Sequence, residues 1–476
     1  MIVCFFFIIK LVKIDTSENS NKNELSGRNS EEWLGIYIQG QRVGYSFTRI
    51  SLAEGRFTVE NSTKYTLNMM GEVRSLTSYL YAHTDHKFIL TDFVTELETA
   101  GHSTKVEGKI NDLQLILTSY SQGIAQTKTM TLAERPYLPV MTKNIIKNKN
   151  LKPGDEVSIP CFDPTTQFSA ITTIKVIGYE NINVLDKKVA GLRVETMFMG
   201  ITTIVWLDDE YRLLKKSAPG MMNLEMIPLT REQALTEIEV NEAFDLLSFV
   251  AVKVNGFMPH PQSLSYLKLE LKEITPENLD LEDDYQKIVQ DNPLIINFNL
   301  PLLDSLPDLT LPIKENMEFL ESSIYIQSNN AEIITAADSI VGDERNARIA
   351  VGKLVEGVYT LLKKNPTASL PSAIDVLKTK EGDCNEHSIL FAAFARAKGI
   401  PTKIYAGLVT FHGHAYYYHA WCAVWLGKWV PVDPTFNQFP ADVGHLKLIE
   451  GGISEWPRVY QVVGKVNVKV LELEEK

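Results

Sequence analysis

Residues 419–433 read HAWCAVWLGKWVPVD, in which two apolar runs flank Leu426-Gly427-Lys428. Short apolar runs that are rich in Trp and Val and are interrupted by a glycine indicate two β-strands joined by a hairpin turn. If the turn has three residues, Trp425 lies opposite Trp429, and this cross-strand pair of indoles helps to fix the register. A two-residue turn would shift the pairing by one position and move every later side chain to the other face of the sheet.

The three-residue turn brings two polar side chains onto one face of the hairpin. Because side chains alternate between the faces of a strand, His419 and Trp421 share a face. In this register Asp433 lies opposite Trp421 and is the diagonal neighbour of His419, a separation that His and Asp side chains can bridge. The hairpin therefore predicts an imidazole that is oriented by a carboxylate.

A cysteine stands at the start of a predicted helix upstream of the hairpin. The helix covers residues 385–398 and is ended by Gly399-Ile-Pro401. Cys384 lies in its first turn, where unpaired backbone N–H groups and the positive end of the helix dipole favour a thiolate and suit the oxyanion of an attacked carbonyl. The charge of Asp383, the predicted N-cap, opposes the thiolate, so a base partner is required.

Four blocks in order carry a family resemblance: Gly382-Asp-Cys-Asn-Glu-His-Ser388, Arg396-Ala-Lys-Gly-Ile-Pro-Thr-Lys403, His419-Ala-Trp421 and Trp429-Val-Pro-Val-Asp-Pro-Thr435. Together they resemble the core of the transglutaminase-like (papain-like thiol) superfamily over roughly residues 340–450. The resemblance implies that Cys384 is the nucleophile, that His419 is the general base and acid, and that Asp433 orients His419. It also implies an α+β core in which the thiol lies on a helix that packs against an antiparallel sheet carrying the His and the Asp.

The chemistry that the resemblance implies is acyl transfer from an amide. The thiolate of Cys384 attacks the carbonyl, His419 protonates the leaving amine, and a thioester forms. Water then gives a protease or amidase, whereas an amine gives a cross-linking enzyme, and the triad does not decide between them. The expected partner is a protein or peptide substrate, and no cofactor is expected. Calcium is not expected because the acidic run Glu282-Asp283-Asp284 lies outside the core and lacks the spacing of a calcium loop.

Other interpretations of the same residues are open. Zinc could be bound by His412, His414 and His419 with Cys384, but His-x-His on a glycine-containing loop, without Cys-x-x-Cys or His-Glu-x-x-His, is poor metal spacing. A further set either edges a substrate groove or serves the strand itself: His414, Tyr416 and Tyr418. Trp421 is either a pocket wall or core packing.

The chain as a whole predicts an α+β protein whose C-terminal core is preceded by a large antiparallel β-sheet region. Residues 33–228 alternate apolar and polar side chains over short runs rich in Thr, Val, Ile, Tyr and Phe, with Gly, Asn and Asp pairs between the runs, as antiparallel hairpins do. Residues 229–312 predict a small mixed β unit and a proline-rich connector. Residues 313–476, where the apolar period changes to 3.6, predict the catalytic domain.

Composition excludes several function classes. The 476 residues carry 47 Lys and Arg against 59 Asp and Glu, a net charge of −12, which repels nucleic acid. A hydrophobic share of 45% fits a globular protein rather than a multi-span membrane protein. Four cysteines in so long a chain do not make a disulfide scaffold. We expect Cys161 and Cys422 to be buried apolar side chains, with Cys422 on the strand face opposite His419.

The N-terminus leaves the compartment open. Residues 1–32 combine an apolar stub, too short to span about 30 Å of hydrocarbon as a helix, with a polar linker predicted to be disordered. The stub is interpreted as a clipped signal or anchor, or as a stray apolar tail. A cell-envelope location, periplasmic or membrane-anchored through the N-terminus, is therefore favoured over the cytoplasm. The oligomeric state is not predicted.

A second hypothesis has no catalysis in it. The triad would be a relic, and the protein would be a binding or assembly module of the cell envelope that has the transglutaminase fold. The extent of the predicted β regions, over half of the chain, motivates this alternative.

Overall fold

The computed structural model describes residues 30–476, except for 70–71, 100–101, 122–123, 186, 240–243, 246–249, 275, 324, 366–371, 453–454 and 464. The apolar stub and most of the linker predicted at the N-terminus therefore lie outside the described residues. The described chain is mostly β and forms two compact units, one within Phe6–Leu247 and the other within Ser248–Lys476. We refer to these as the N-terminal unit and the C-terminal unit.

The N-terminal unit is built on one large sheet, as the sequence predicts. Its strands are β1 Ser30–Ile38, β2 Gln41–Ala53, β3 Arg56–Met69, β4 Glu72–Thr84, β5 Leu90–Thr99, β6 His102–Asn111, β7 Gln114–Ser121, β8 Ile124–Thr131, β9 Glu156–Asp163, β10 Phe168–Val184, β11 Lys187–Phe198, β12 Ile201–Leu207, β13 Leu213–Ala218, β14 Leu224–Pro228 and β15 Phe244–Asp245. Two helices accompany them, α1 Thr142–Asn148 and α2 Arg231–Leu235. The first strand begins inside the stretch predicted as a linker.

Short hairpin connections explain the order of this sheet. It runs β8-β7-β6-β5-β4-β3-β2-β1-β14-β13-β12-β11-β10-β9, so each strand lies beside its sequence neighbour except where β1 meets β14 and where β8 and β9 stand at the ends. All of these pairs are antiparallel, and only β15 pairs in parallel, with β3. Alternation buries every second side chain, as in the burial of Ile50, Val59 and Ala82 in β2, β3 and β4.

The C-terminal unit combines helices with a second sheet. The helices are α3 Ala331–Val341, α4 Ala347–Leu361, α5 Ala373–Thr379 and α6 Cys384–Ala397. The strands are β16 Val252–Asn255, β17 Leu264–Lys272, β18 Gln286–Asp291, β19 Leu294–Asn299, β20 Lys363–Lys364, β21 Glu381–Gly382, β22 Thr402–Val409, β23 Ala415–Trp425, β24 Trp429–Val432, β25 His445–Glu450 and β26 Asn467–Glu475. None of the helices in the described ranges is long and apolar enough to cross a membrane.

The second sheet joins the middle of the chain to the predicted catalytic region. Its order is β18-β19-β17-β26-β16-β23-β22-β25, with β24 paired to β23. The strands β16 to β19 fall in residues 229–312, the region predicted as a separate small unit, yet they share one sheet with β22 to β25. They do so because β26 pairs with β17 on one side and with β16 on the other.

The helix that carries the cysteine is the centre of the C-terminal core. Helix α6 packs against β22 and β23 and contacts α3, α4 and α5. Its residues from Cys384 to Ala395 are all buried, including the polar Asn385, Glu386 and His387. Helix α4 buries one apolar stripe at the predicted helical spacing. Helix α3 completes this layer and was not predicted.

The hairpin register is the one predicted for a three-residue turn. Trp425 pairs with Trp429, and their rings meet edge to face with centroids 5.5 Å apart. The backbone N–H of Leu426 donates to the carbonyl of Lys428 at 2.9 Å, which closes the turn. Gly427 has φ +83°, and a Cβ on it would lie 2.5 Å from Cγ of Pro307. Glycine is therefore required at this position for two reasons, its backbone conformation and the lack of room for a Cβ atom.

We predict that Gly427→Ala destabilises the C-terminal unit. The substitution adds left-handed backbone strain to a steric clash, so the free energy of unfolding should fall by roughly 1–3 kcal/mol in chemical denaturation. Gly352→Ala in α4 is the matched control, because its Cβ would meet only Phe439 at 3.8 Å. That change should be neutral or stabilising by up to about 1 kcal/mol. Equal effects of the two substitutions would contradict the proposed role of the turn.

Candidate active site

Local sequence fixes the start of the helix that bears Cys384. Asp383 is the N-cap, and its carboxylate accepts from the backbone N–H of Asn385 at 3.0 Å. Glu386 completes a capping box by accepting from the N–H of Asp383 at 2.8 Å. A Cβ at position 382 would lie 2.2 Å from Cβ of Glu386, so the cap needs Gly382. The predicted placement of the cysteine in the first turn is confirmed.

The thiol of Cys384 is buried against the strand that carries His419. The side chain is 3% exposed, and the backbone of Ala420 hydrogen-bonds to it and lowers its pKa. Burial is the larger effect and raises the pKa of Cys384 well above its usual range. The helix start alone predicted an activated thiolate. In the structure, desolvation and the charge of Asp383 instead oppose the thiolate and outweigh the favourable hydrogen bond.

His419 and Asp433 form the predicted pair. Nε2 of His419 and Oδ2 of Asp433 are 2.7 Å apart, and the two side chains are 4% and 0% exposed. Burial lowers the pKa of His419 and outweighs Asp433, which raises it. The imidazole is therefore neutral at neutral pH. Because Nε2 is engaged by the carboxylate, Nδ1 is the ring nitrogen left for other chemistry.

Four hydrogen bonds hold the carboxylate of Asp433. Oδ2 is shared by His419 and by Nε2 of His445, the latter at 3.0 Å. Oδ1 accepts from the backbone N–H groups of Thr435 at 2.7 Å and Phe436 at 3.3 Å. Burial alone would raise the pKa of Asp433, but its attraction to and hydrogen bonds with the two histidines hold that pKa well below its usual range. The carboxylate stays ionised although it is fully buried.

His445 was not among the residues predicted for the site. It lies at the start of β25 and is fully buried, and its Nδ1 is 3.2 Å from Oδ1 of Asp442 and 3.1 Å from the carbonyl of Asp442. Burial disfavours its charge, yet its hydrogen bonds to Asp433 and Asp442 outweigh burial and raise the pKa of His445 to about 10. A signal was present in the sequence, since His445 and Lys447 are polar residues in an otherwise apolar run, HLKLI.

Aromatic rings surround the candidate base. The ring of His419 stacks on Phe436, with centroids 4.8 Å apart, and on Trp421 at 6.1 Å. Phe411 meets Phe436 edge to face at 4.7 Å. Nζ of Lys364 lies 5.9 Å from the centre of the Phe436 ring. Trp421 is fully buried and also contacts Tyr405, so it is core packing that forms one wall behind His419.

The predicted groove residues behave differently from one another. His414 is exposed, but Tyr416 and Tyr418 are buried, and the hydroxyl of Tyr418 donates to the carbonyl of Val462 at 3.3 Å. The two tyrosines pack the strand and do not edge an open groove. Of the two interpretations left open for these tyrosines, burial favours a role in the strand itself.

The two other cysteines among the described residues are buried, as predicted. Cys422 lies on the strand face opposite His419, and its thiol donates to the carbonyl of Ser388 in α6 at 3.3 Å. Cys161 is also fully buried, and burial raises its pKa to about 12.

A metal ion fits the site poorly. The alternative zinc set is not assembled, because His412 and His414 are exposed while His419 is buried against Asp433. Within the described ranges, the grouping of potential ligands is His419, Asp433 and His445, whose ligand atoms lie within 4.8 Å of one another. Both imidazole nitrogens already bond to the same carboxylate oxygen, so a metal ion would displace both hydrogen bonds. No step is assigned to a metal.

The part of the chain that carries these residues is similar to a known protein family. Residues 335–434 match the model of the Transglutaminase-like superfamily, so this part of the chain is a transglutaminase-like domain. The sequence has no significant match among curated proteins. The matched segment contains Cys384, His419 and Asp433 and ends before His445.

Three solved structures share low similarity with the chain. One is named "Putative Cysteine Protease" from Cytophaga hutchinsonii, with 14% identity, a TM-score of 0.29, and coverage of 48% of this chain and 86% of that chain. A β-barrel-like protein of unknown function from Brucella abortus has 12% identity and a TM-score of 0.32, with coverage of 43% of this chain and 98% of that chain. A protein from Pseudomonas aeruginosa, also from a family of unknown function, has 10% identity and a TM-score of 0.23, with coverage of 44% of this chain and 97% of that chain.

We predict that Asp433→Asn destabilises the C-terminal unit strongly. The amide keeps the shape of the side chain but removes the charge that holds two buried imidazoles, so the free energy of unfolding should fall by roughly 3 kcal/mol or more in denaturant titration. Asp308→Asn is the matched control. That carboxylate is 73% exposed and 3.5 Å from Arg348, and its loss should cost at most about 1 kcal/mol. Costs of similar size for the two substitutions would contradict the central role of Asp433.

Proposed function

We propose that the C-terminal unit is a cysteine-dependent enzyme that cleaves or transfers the acyl group of an amide. The observation that carries the proposal is the hydrogen bond of 2.7 Å between His419 and Asp433. The residue that follows His419 in the strand, Ala420, hydrogen-bonds through its backbone to Cys384. A nucleophile, a base and a residue that orients the base are the three parts that such chemistry needs.

The protonation states favour a neutral thiol and a neutral imidazole in the resting enzyme. Cys384 transfers its proton to Nδ1 of His419 as the sulfur attacks the amide carbon. The C–N bond then breaks, the proton passes from His419 to the leaving amine, and a thioester remains on Cys384. Water or a second amine resolves the thioester and regenerates the thiol. Asp433 stabilises the imidazolium during the transfer.

The proposed acyl acceptor is water or an amine. The triad serves a protease or amidase and a cross-linking enzyme equally, because the second nucleophile is selected by the surface around it. The substrate is proposed to be a protein or peptide amide, and no cofactor is assigned. We also propose a cell-envelope location, periplasmic or membrane-anchored.

We predict that Cys384 is the most reactive of the three thiols in the described part of the chain. Iodoacetamide at neutral pH should alkylate it faster than Cys161 and Cys422, because the proposed mechanism assigns a base to Cys384 alone. The His419→Ala change should slow its alkylation at least about tenfold, because the proton acceptor is lost. His414→Ala, which removes an exposed histidine of the preceding loop, is the matched control and should have no effect. Site-resolved mass spectrometry measures all three rates.

Equal alkylation of the three thiols would overturn the proposed enzyme. In that case the alternative of a binding or assembly module is favoured, which the burial of Cys384 also supports. The two functions also differ in the cell. An active-site Cys384→Ala protein should fail to restore a deletion strain, whereas a binding module with the same change should restore every phenotype.

We predict a pH step in the alkylation rate that reports His419. Because burial lowers the pKa of His419, its neutral, proton-accepting form persists below pH 6.5 and is lost only as the pH falls through that lowered pKa. The rate constant for Cys384 should therefore rise with a midpoint below 6.5 and then level off until the thiol itself ionises at alkaline pH. A rate that rises only with alkaline ionisation would contradict the His419-assisted mechanism.

A further inference from the structure

A second histidine lies on the far side of the triad carboxylate. Oδ2 of Asp433 is 2.7 Å from Nε2 of His419 and 3.0 Å from Nε2 of His445, so one oxygen serves two rings. The rings meet edge to face with centroids 5.9 Å apart. Nδ1 of His445 then continues to the carboxylate and the carbonyl of Asp442. The row His419–Asp433–His445–Asp442 is thus continuous and is buried throughout.

We propose that His445 is a positioning residue that keeps His419 a neutral base. His445 is protonated in the resting enzyme, fixes the carboxylate of Asp433 and offsets part of the negative charge of that carboxylate. This inference rests on the proposed function. A carboxylate that faced a single imidazole in a fully buried site would draw a proton onto that imidazole. With His445 carrying the proton, the pair Asp433–His445 is neutral overall, and His419 is left free to accept the proton of Cys384.

The groups around His445 support a protonated ring. Two carboxylates face it, those of Asp433 and Asp442, and each bonds to a different ring nitrogen. An imidazole with acceptors on both nitrogens donates twice only as an imidazolium. Lys447 lies two residues further along β25 and is also a buried cation. Its ammonium, however, is paired with Asp283 at 3.2 Å.

Asp442 is itself held in place. Gln438 donates to Oδ2 of Asp442 at 2.9 Å, and the backbone N–H of Gly444 donates to Oδ1 at 2.9 Å. The hydrogen bonds of His445 and these donors hold the pKa of Asp442 below its usual range, against the opposing effect of burial. The second carboxylate is therefore a permanent anion, as the protonation of His445 requires.

The test compares pH profiles of Cys384 alkylation in three proteins. In His445→Gln, a neutral amide replaces the cation, so the pKa of His419 should increase and the acid step should move up. For charges about 6 Å apart the shift should be about 0.5–2 pH units. Lys447→Met removes a buried cation from the same strand that is paired with Asp283 instead of Asp433. It should leave the position of the step unchanged, whatever its effect on stability.

A second measurement determines the protonation of His445 in the wild-type protein. In full-length wild-type protein with ¹⁵N-labelled histidine, both ring nitrogens of His445 should carry protons at pH 8, with the resonance assigned by its absence in His445→Gln or, should that variant not fold, in His445→Asn. A neutral His445 ring at pH 8 would overturn the inference. So would an acid step that His445→Gln leaves unmoved while wild-type Cys384 still depends on His419. If wild-type Cys384 instead reacts no faster than Cys161 and Cys422, the proposed function fails, and the role of His445 in it fails as well.

Discussion

A single buried carboxylate organises the site of the C-terminal unit. Asp433 has no exposed surface, and an ionised carboxylate in such a place is tolerated only when its oxygens are satisfied. Two imidazoles and two backbone N–H groups supply four hydrogen bonds. These contacts join β23, the turn after β24 and the start of β25 at one point, so the position of His419 depends on all three segments.

Two short local structures, a turn and a helix cap, position the residues of this site. The turn at Gly427 sets the hairpin register, which places Asp433 on the same face as His419. The cap formed by Asp383 sets the first residue of α6 and brings Cys384 to the backbone of Ala420.

Sequence was sufficient where the determinants are local. Hairpin register, helix start and the His–Asp pair follow from side-chain alternation, turn length and capping, and the structure has all of them. Burial of Cys384 could not be predicted, because the exposure of a helix terminus depends on distant segments that pack around it. His445 was missed for a similar reason. It reaches Asp433 only because β25 pairs with β22 and not with β24, its nearest preceding strand.

The middle of the chain shows the same limit. The mixed pattern and the prolines of residues 229–312 favour a separate unit, and the local strands were recognisable. Their partners were not, since β17 pairs with β26, about 200 residues further along the chain. Pairing at such separations leaves no trace in the periodicity of either strand.

The central position of β26 has a consequence for how the C-terminal unit is made. Strands β17 to β19 leave the ribosome long before β26, yet β26 is the strand that connects them to the half of the sheet that bears His419. During translation they form at most an isolated three-stranded group with an open edge. The complete sheet is thus assembled only after residues 467–475 have emerged. The unit is therefore expected to finish folding late, and until then the edge of β17 that pairs with β26 lies open.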